Sequence, residues 1–130
     1  MIFLDTNYIV SYYVEKEKHH KRSLEIAEII EDREQIISRL VIGETINILE
    51  QKLKLDRNFI KKIYEELFSN YTVIEDHYFY DKALNNVLNS KKRFPFFDHI
   101  YIVLMGELNI SEIVSFDKHF NNQKGIKRVH

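Results

Sequence analysis

Met1-Ile2-Phe3-Leu4-Asp5-Thr6-Asn7 opens the chain with an apolar run broken at once by a carboxylate. Four consecutive apolar residues read as a short buried strand. Asp5 therefore follows a buried strand end, where a carboxylate needs a partner. Near the other end of the chain the pattern recurs: Ile113-Val114 is a second apolar run, and Asp117 follows it after Ser115 and Phe116. Glu44 and Asp98 each stand near the start of an apolar segment with helical spacing. If the strands are parallel, all four carboxylates can meet at one edge of the sheet. Like charges so gathered raise one another's pKa and cost stability. A hard divalent cation removes that penalty, and oxygen ligands suit Mg²⁺ or Mn²⁺. The pattern points to a metal-dependent enzyme acting on phosphate.

The stretches between support a parallel sheet. A short helix is predicted over Asn7–Val14, and a longer one over His19–Ile30 with Leu24, Ile26, Ala27, Ile29 and Ile30 as its apolar stripe. Gln35-Ile36-Ile37 reads as a strand. Ser38 then reads as the N-cap of a helix to about Leu53 with Leu40, Val41, Ile48 and Leu49 inward, and Asp56 caps the next, carried by Phe59, Ile60, Ile63, Tyr64, Leu67 and Phe68. Tyr71–Ile74 is aromatic and β-branched, as a strand should be. Helices over Tyr78–Asn89 and Phe96–Leu108 and strands at Glu112–Ser115 and Lys127–Val129 complete the chain. Strands alternating with helices imply right-handed βαβ units and the α/β class, with 1–130 as a single domain.

Composition narrows the class. Hydrophobic residues at 45% and charged residues at 30% fit a folded protein rather than a disordered one. With no cysteine, neither disulfides nor thiolate-held zinc contribute. The opening apolar run is too short for a signal peptide or a membrane span, so a cytoplasmic protein without membrane association is expected. At a net charge of −1 the whole molecule has no attraction for nucleic acid, so a polyanionic substrate must be held by the metal and local basic residues.

In open α/β sheets ligands bind beyond the carboxyl ends of the strands, where Asp5 and Asp117 are expected. Glu44 and Asp98 fall in early helical turns, where the macrodipole favours negative charge. Thr6, Asn7 and Ser115 are the short polar neighbours expected to orient the carboxylates. The chemistry this suits is in-line attack of water on a phosphodiester, with one or two ions lowering the pKa of the water and stabilising developing charge.

At this point a family resemblance enters. Asp5-Thr6-Asn7 after the first strand resembles the opening motif of PIN-domain ribonucleases, and Ser38-Arg39-Leu40-Val41-Ile42-Gly43-Glu44 resembles the second. Phe97-Asp98-His99-Ile100-Tyr101-Ile102 is similar to the third motif, and Ser115-Phe116-Asp117-Lys118-His119-Phe120 to the fourth. The four motifs stand in the family's order across nearly the whole chain. The resemblance implies a three-layer α/β/α sandwich around a central parallel sheet and an Mg²⁺- or Mn²⁺-dependent endoribonuclease. It makes Asp5, Glu44, Asp98 and Asp117 catalytic, with Asp5, Asp98 and Asp117 ligating directly. A free-standing domain of this size further resembles the VapC-type toxin of a type II toxin–antitoxin pair, which implies an RNA substrate, a cognate antitoxin and a homodimer.

Other readings compete at each position. Glu44 and Asp98 could be helix-start residues alone, and Asp117 only an N-cap. His19-His20 reads as a solvated helix start, while His99 and His119 stand close enough to the aspartates to approach phosphate. Lys118 is a phosphate-contact candidate, as are Lys91, Lys92 and Arg93, and Lys16, Lys18, Lys21 and Arg22; charge runs are more often solvated faces. Tyr8, Tyr12 and Tyr13 serve core packing, base stacking or a dimer interface equally well. The position two after Asp5 is Asn7, against a haloacid-dehalogenase arrangement; the acidic pair of a receiver domain is missing, and so is a phosphate-cradling glycine loop. A catalytically silent RNA- or protein-binding module is the main alternative. A DNA-directed nuclease is a third reading, since carboxylates on a metal do not sense the 2′-hydroxyl.

Overall fold

Five short strands form one parallel sheet in a computed structural model that describes residues 1–130. They are β1 Ile2–Leu4, β2 Gln35–Ser38, β3 Thr72–Ile74, β4 Glu112–Val114 and β5 Lys127–Val129, in the order β3-β2-β1-β4-β5. Phe3 pairs with Ile36 on one side and Ile113 on the other, so β1 is central. Its three residues are fully buried, as befits a parallel strand covered on both faces.

Six helices supply that cover: α1 Thr6–Tyr13, α2 His20–Ile29, α3 Arg39–Asn47, α4 Arg57–Asn70, α5 Tyr80–Asn89 and α6 Phe96–Glu107. α1 packs on α2 and α3, and α3 on α4, while α5 packs on α6. Right-handed crossovers place α1–α4 on one face and α5–α6 on the other, giving the three-layer α/β/α arrangement. From β1 the chain moves outward to β2 and β3, then returns to the far side of β1 as β4. The β1/β4 boundary is thus the topological switch point, where the connections diverge and a crevice opens beyond the strand ends.

Local signals fix the boundaries. Ser38 Oγ accepts from the Val41 N–H at 3.3 Å and Asp56 from the Phe59 N–H at 3.1 Å, as the N-cap readings require. After Asn47 the predicted long helix widens into a π-helical turn over Ile48–Lys52, closed by the Leu53 N–H on Ile48 O. α6 ends with Asn109 in the left-handed region at φ 56° and the Ile110 N–H on Met105 O at 2.8 Å, a reversal that leads directly into β4. The α2 stripe differs from expectation. Ser23, Ile26 and Ile30 face the core, whereas Leu24 and Ile29 are 43% and 67% exposed. α2 is an outermost helix touching the body along one narrow line, and five apolar residues in seven cannot all reach it.

Candidate metal centre

Asp5 continues the ladder one residue past β1, its N–H on Val114 O at 3.0 Å, and then serves as the N-cap of α1. Its Oδ1 accepts from the Thr6 N–H at 2.8 Å and its Oδ2 from the Ser115 hydroxyl at 2.6 Å. The side chain is buried at the switch point. Burial pushes its pKa up to about 7; the Ser115 bond resists this, and the charges of Asp98 and Glu44 add to it.

Asp98 lies in the first turn of α6, just after Pro95, and is buried. Burial raises its pKa to about 6, against the pull of His119 and with a push from Asp117. Asp117 caps the short 3₁₀ turn Lys118–Phe120, accepting the His119 N–H at 2.9 Å. The His119 ring then turns back, with Nδ1 at 3.2 Å from Asp98 and 3.1 Å from Asp117. One ligand atom from each of Asp98, Asp117 and His119 falls within 4.8 Å of the others. Glu44, in α3, accepts from the hydroxyls of Tyr101 and Thr6 at one oxygen, Oε1, and burial raises its pKa. The Tyr101 phenol is itself driven far upward, first by burial, so it stays protonated and donates.

The short polar neighbours are wired together. Ser115 Oγ, while donating to Asp5, accepts the Asp117 N–H at 3.0 Å and the Asn7 amide at 3.4 Å. Asn7 Oδ1 accepts the Phe116 N–H at 3.0 Å. Asn7 therefore latches α1 to the loop after β4, and one serine hydroxyl couples Asp5 to the backbone that carries Asp117. Carboxylates placed in this way fit a hard cation. Asp5 and Asp98 are buried and Glu44 and Asp117 half-buried. Burial raises the pKa of Asp5, Glu44 and Asp98, and none of the four acids is paired with a lysine or arginine. The ring that reaches them is His119, whose Nδ1 lies against both Asp98 and Asp117.

Two features escaped the sequence reading. Tyr101 is a core-spaced aromatic on α6 whose hydroxyl reaches Glu44; only its position one turn after Asp98 hints at this. Asp76, just past β3 at the same sheet edge, is buried and accepts the Leu40 N–H at 2.7 Å, holding the start of the helix that carries Glu44. Its signal was available: an aspartate two residues past a strand.

The basic candidates fall in different places. Lys118 is exposed next to Asp117, and Lys91, Lys92 and Arg93 are exposed on the loop between α5 and α6. In the early cluster, Arg22 is committed to Glu25 and the His130 carbonyl. His20 bonds Ser11 O at 2.8 Å and His19 stacks on Phe116 at 4.3 Å, so both hold the α1–α2 turn rather than face open solvent. Tyr8 is core, while Tyr12 and Tyr13 line a groove of about 810 Å³ with Leu24, Phe59 and Tyr71. None of the four acids borders that groove.

The PIN domain family profile matches residues 2–126. The chain belongs to the PIN-domain family. No curated protein sequence matches it closely. Among solved structures, VapC20 of Mycobacterium tuberculosis, described as a sarcin–ricin loop cleaving toxin, superposes with a TM-score of 0.79 at 16% identity over 91% of each chain. PAE2754 of Pyrobaculum aerophilum gives 0.67 at 18% identity, covering 98% of this chain and 87% of its own. VapBC2 of Rickettsia felis, solved bound to a DNA fragment from its promoter, gives 0.69 at 15% identity over 99% and 98%. At such identities the likeness is one of fold. No helix of this PIN domain is long and apolar enough to cross a membrane.

Proposed function

We propose that this PIN domain is a divalent-metal-dependent endoribonuclease, with Mg²⁺ or Mn²⁺ as its ion, and the toxin of a type II toxin–antitoxin pair. The observation that carries the reading is the cluster of Asp98, Asp117 and His119 beyond the β1/β4 switch point, with Asp5 and Glu44 near enough for their charges to act on it and no lysine or arginine to balance them. Asp98 and Asp117 hold the ion, joined by Asp5 from the end of β1. A bound ion of this kind supplies a lowered water pKa and neutralises charge developing on the phosphate. Glu44 has Oε1 engaged by Tyr101 and Thr6, which leaves Oε2 to take a proton from the attacking water. Ser115, Asn7 and Thr6 keep the carboxylates in place, and Lys118, with Lys91, Lys92 and Arg93, meets the RNA backbone.

The toxin assignment draws on the named activity of VapC20 and on VapBC2, a complex found with promoter DNA. By that analogy the chain works in the cytoplasm as a homodimer restrained by a cognate antitoxin. The test is incubation of purified protein with total cellular RNA under Mg²⁺, Mn²⁺ or EDTA, beside Asp98→Asn. Discrete fragments that require metal and drop by more than about 100-fold in the variant are expected, since ligand loss should exceed the 10–100-fold typical of outer-shell changes. Absence of cleavage by folded, metal-supplied protein would instead favour a binding module.

A further inference from the structure

Beside the carboxylates lies a feature that phosphodiester hydrolysis does not use. Where the end of α5, the following loop and α6 meet there is a cavity of about 330 Å³, bordered by Asn86, Lys91, Lys92, Phe94, His99 and Gln123. Its wall is aromatic: Phe94 stacks on His99 with centroids 4.0 Å apart and planes 15° from parallel. Phe94 also stands 6.2 Å from the ring of His119, which bonds Asp98 and Asp117. One phenyl ring thus separates the cavity from the carboxylate cluster.

The cavity is chemically unlike its neighbour. No acidic residue borders it, and two lysines do, in a chain of net charge −1. Its polar groups are unspent. Asn89 and Ser90 are tied to nearby carbonyls, but no protein group engages the carboxamides of Asn86 and Gln123. His99 is only 4% exposed, yet its ring nitrogens have no partner in the protein. Thr45 Oγ1 is the sole sealed side-chain polar atom left unpaired, so the His99 nitrogens are not sealed off, and His99 borders the cavity. Those nitrogens are free to bond a molecule that enters the cavity.

An aromatic wall, carboxamide and imidazole edges and flanking ammonium groups are what an unpaired nucleobase requires: a π-face, partners for its Watson–Crick edge and cations for its phosphates. We propose that this cavity is a nucleobase subsite. It receives one unpaired base of single-stranded RNA flanking the phosphodiester at the carboxylate centre, with Asn86, His99 and Gln123 selecting the base. The polymer's identity rests on the nuclease reading above; the base-binding character rests on the cavity.

The test uses full-length protein, an Asn86→Ala/Gln123→Ala double variant and, separately, Phe94→Leu. Binding of labelled single-stranded octamers of each of the four bases, and of a hairpin duplex, is measured by anisotropy in an Asp98→Asn background. Cut positions are mapped with the intact acids. The parent is expected to prefer one base and to bind the duplex poorly. The double variant, which changes two weakly packed polar side chains, should erase that preference, and Phe94→Leu should weaken all four octamers by roughly tenfold. An unchanged preference in the double variant, or equal binding of the duplex, would overturn the subsite. If RNA is cleaved with the same flanking base in both proteins, the subsite fails and the nuclease stands. If nothing is cleaved but base preference still depends on Asn86 and Gln123, the nuclease fails and the subsite stands.

Discussion

Ser115 shows how much one hydroxyl can organise. It donates to Asp5, accepts from the Asp117 N–H and receives the Asn7 amide, so three parts of the centre meet at a single oxygen. Ser115→Ala should therefore lower cleavage by about 10–100-fold, with Ser115→Thr restoring most of it, as steady-state rates at saturating metal would reveal. Loss of stability without loss of rate would assign Ser115 a purely structural role. At this scale sequence pattern tells where the acids stand in the elements and little about what they pair with. Asp5, Glu44, Asp98 and Asp117 could be picked out because strand ends and helix starts are readable from local apolar patterning. That Tyr101 bonds Glu44, or that His119 folds back between two aspartates, depends on side-chain direction across sequence gaps, which local pattern does not encode.

Elements carry the acids to one place because each has a readable beginning. Asp5, Ser38 and Asp56 all accept a backbone N–H at a helix start, and Pro95 precedes α6 at a fixed φ of −53°. Asp56 lies at the start of α4, which carries none of the four acids. Asp56→Ala should cost about 1 kcal/mol in thermal or urea unfolding while leaving cleavage unchanged, which makes it a control for stability effects. A drop in activity beyond that explained by unfolded protein would contradict this. The limits of legibility are visible in α2 and after α3. Leu24 and Ile29 satisfy a helical period without reaching the core, because an outer helix has only one contact line. The π-helical turn at Ile48–Lys52 answers tertiary packing rather than any residue preference, so no pattern in that segment announced it.

For the whole molecule, gathering buried carboxylates sets the balance of stability with pH and metal. Asp5 holds its proton to about pH 7 when folded, against 3.8 ordinarily, and Asp98 shifts the same way. Between roughly pH 4 and 7 the folded state binds more protons than the unfolded chain, so metal-free stability should fall as pH rises through that window. For Asp5 the span corresponds to at most about 4 kcal/mol. Melting curves without metal should thus show a lower Tm at pH 8 than at pH 5. Asp5→Asn, which can keep the Thr6 cap, should flatten that dependence, and Mg²⁺ should raise Tm at pH 8 in the parent more than in the variant. A metal-free Tm that rises with pH would contradict the sign. Parallel order was legible from strand and helix alternation; the position of the switch point was not, since it depends on which side of β1 the fourth strand joins. The most direct test of the central claim uses RNA carrying a single 2′-deoxy substitution at a mapped cut site. Attack by an external water with metal needs no 2′-hydroxyl, so cleavage should persist in Mg²⁺, stop in EDTA and leave no 2′,3′-cyclic phosphate. Cleavage that is blocked by the 2′-deoxy change, survives EDTA and yields cyclic phosphate would make the RNA's own hydroxyl the nucleophile and contradict the account.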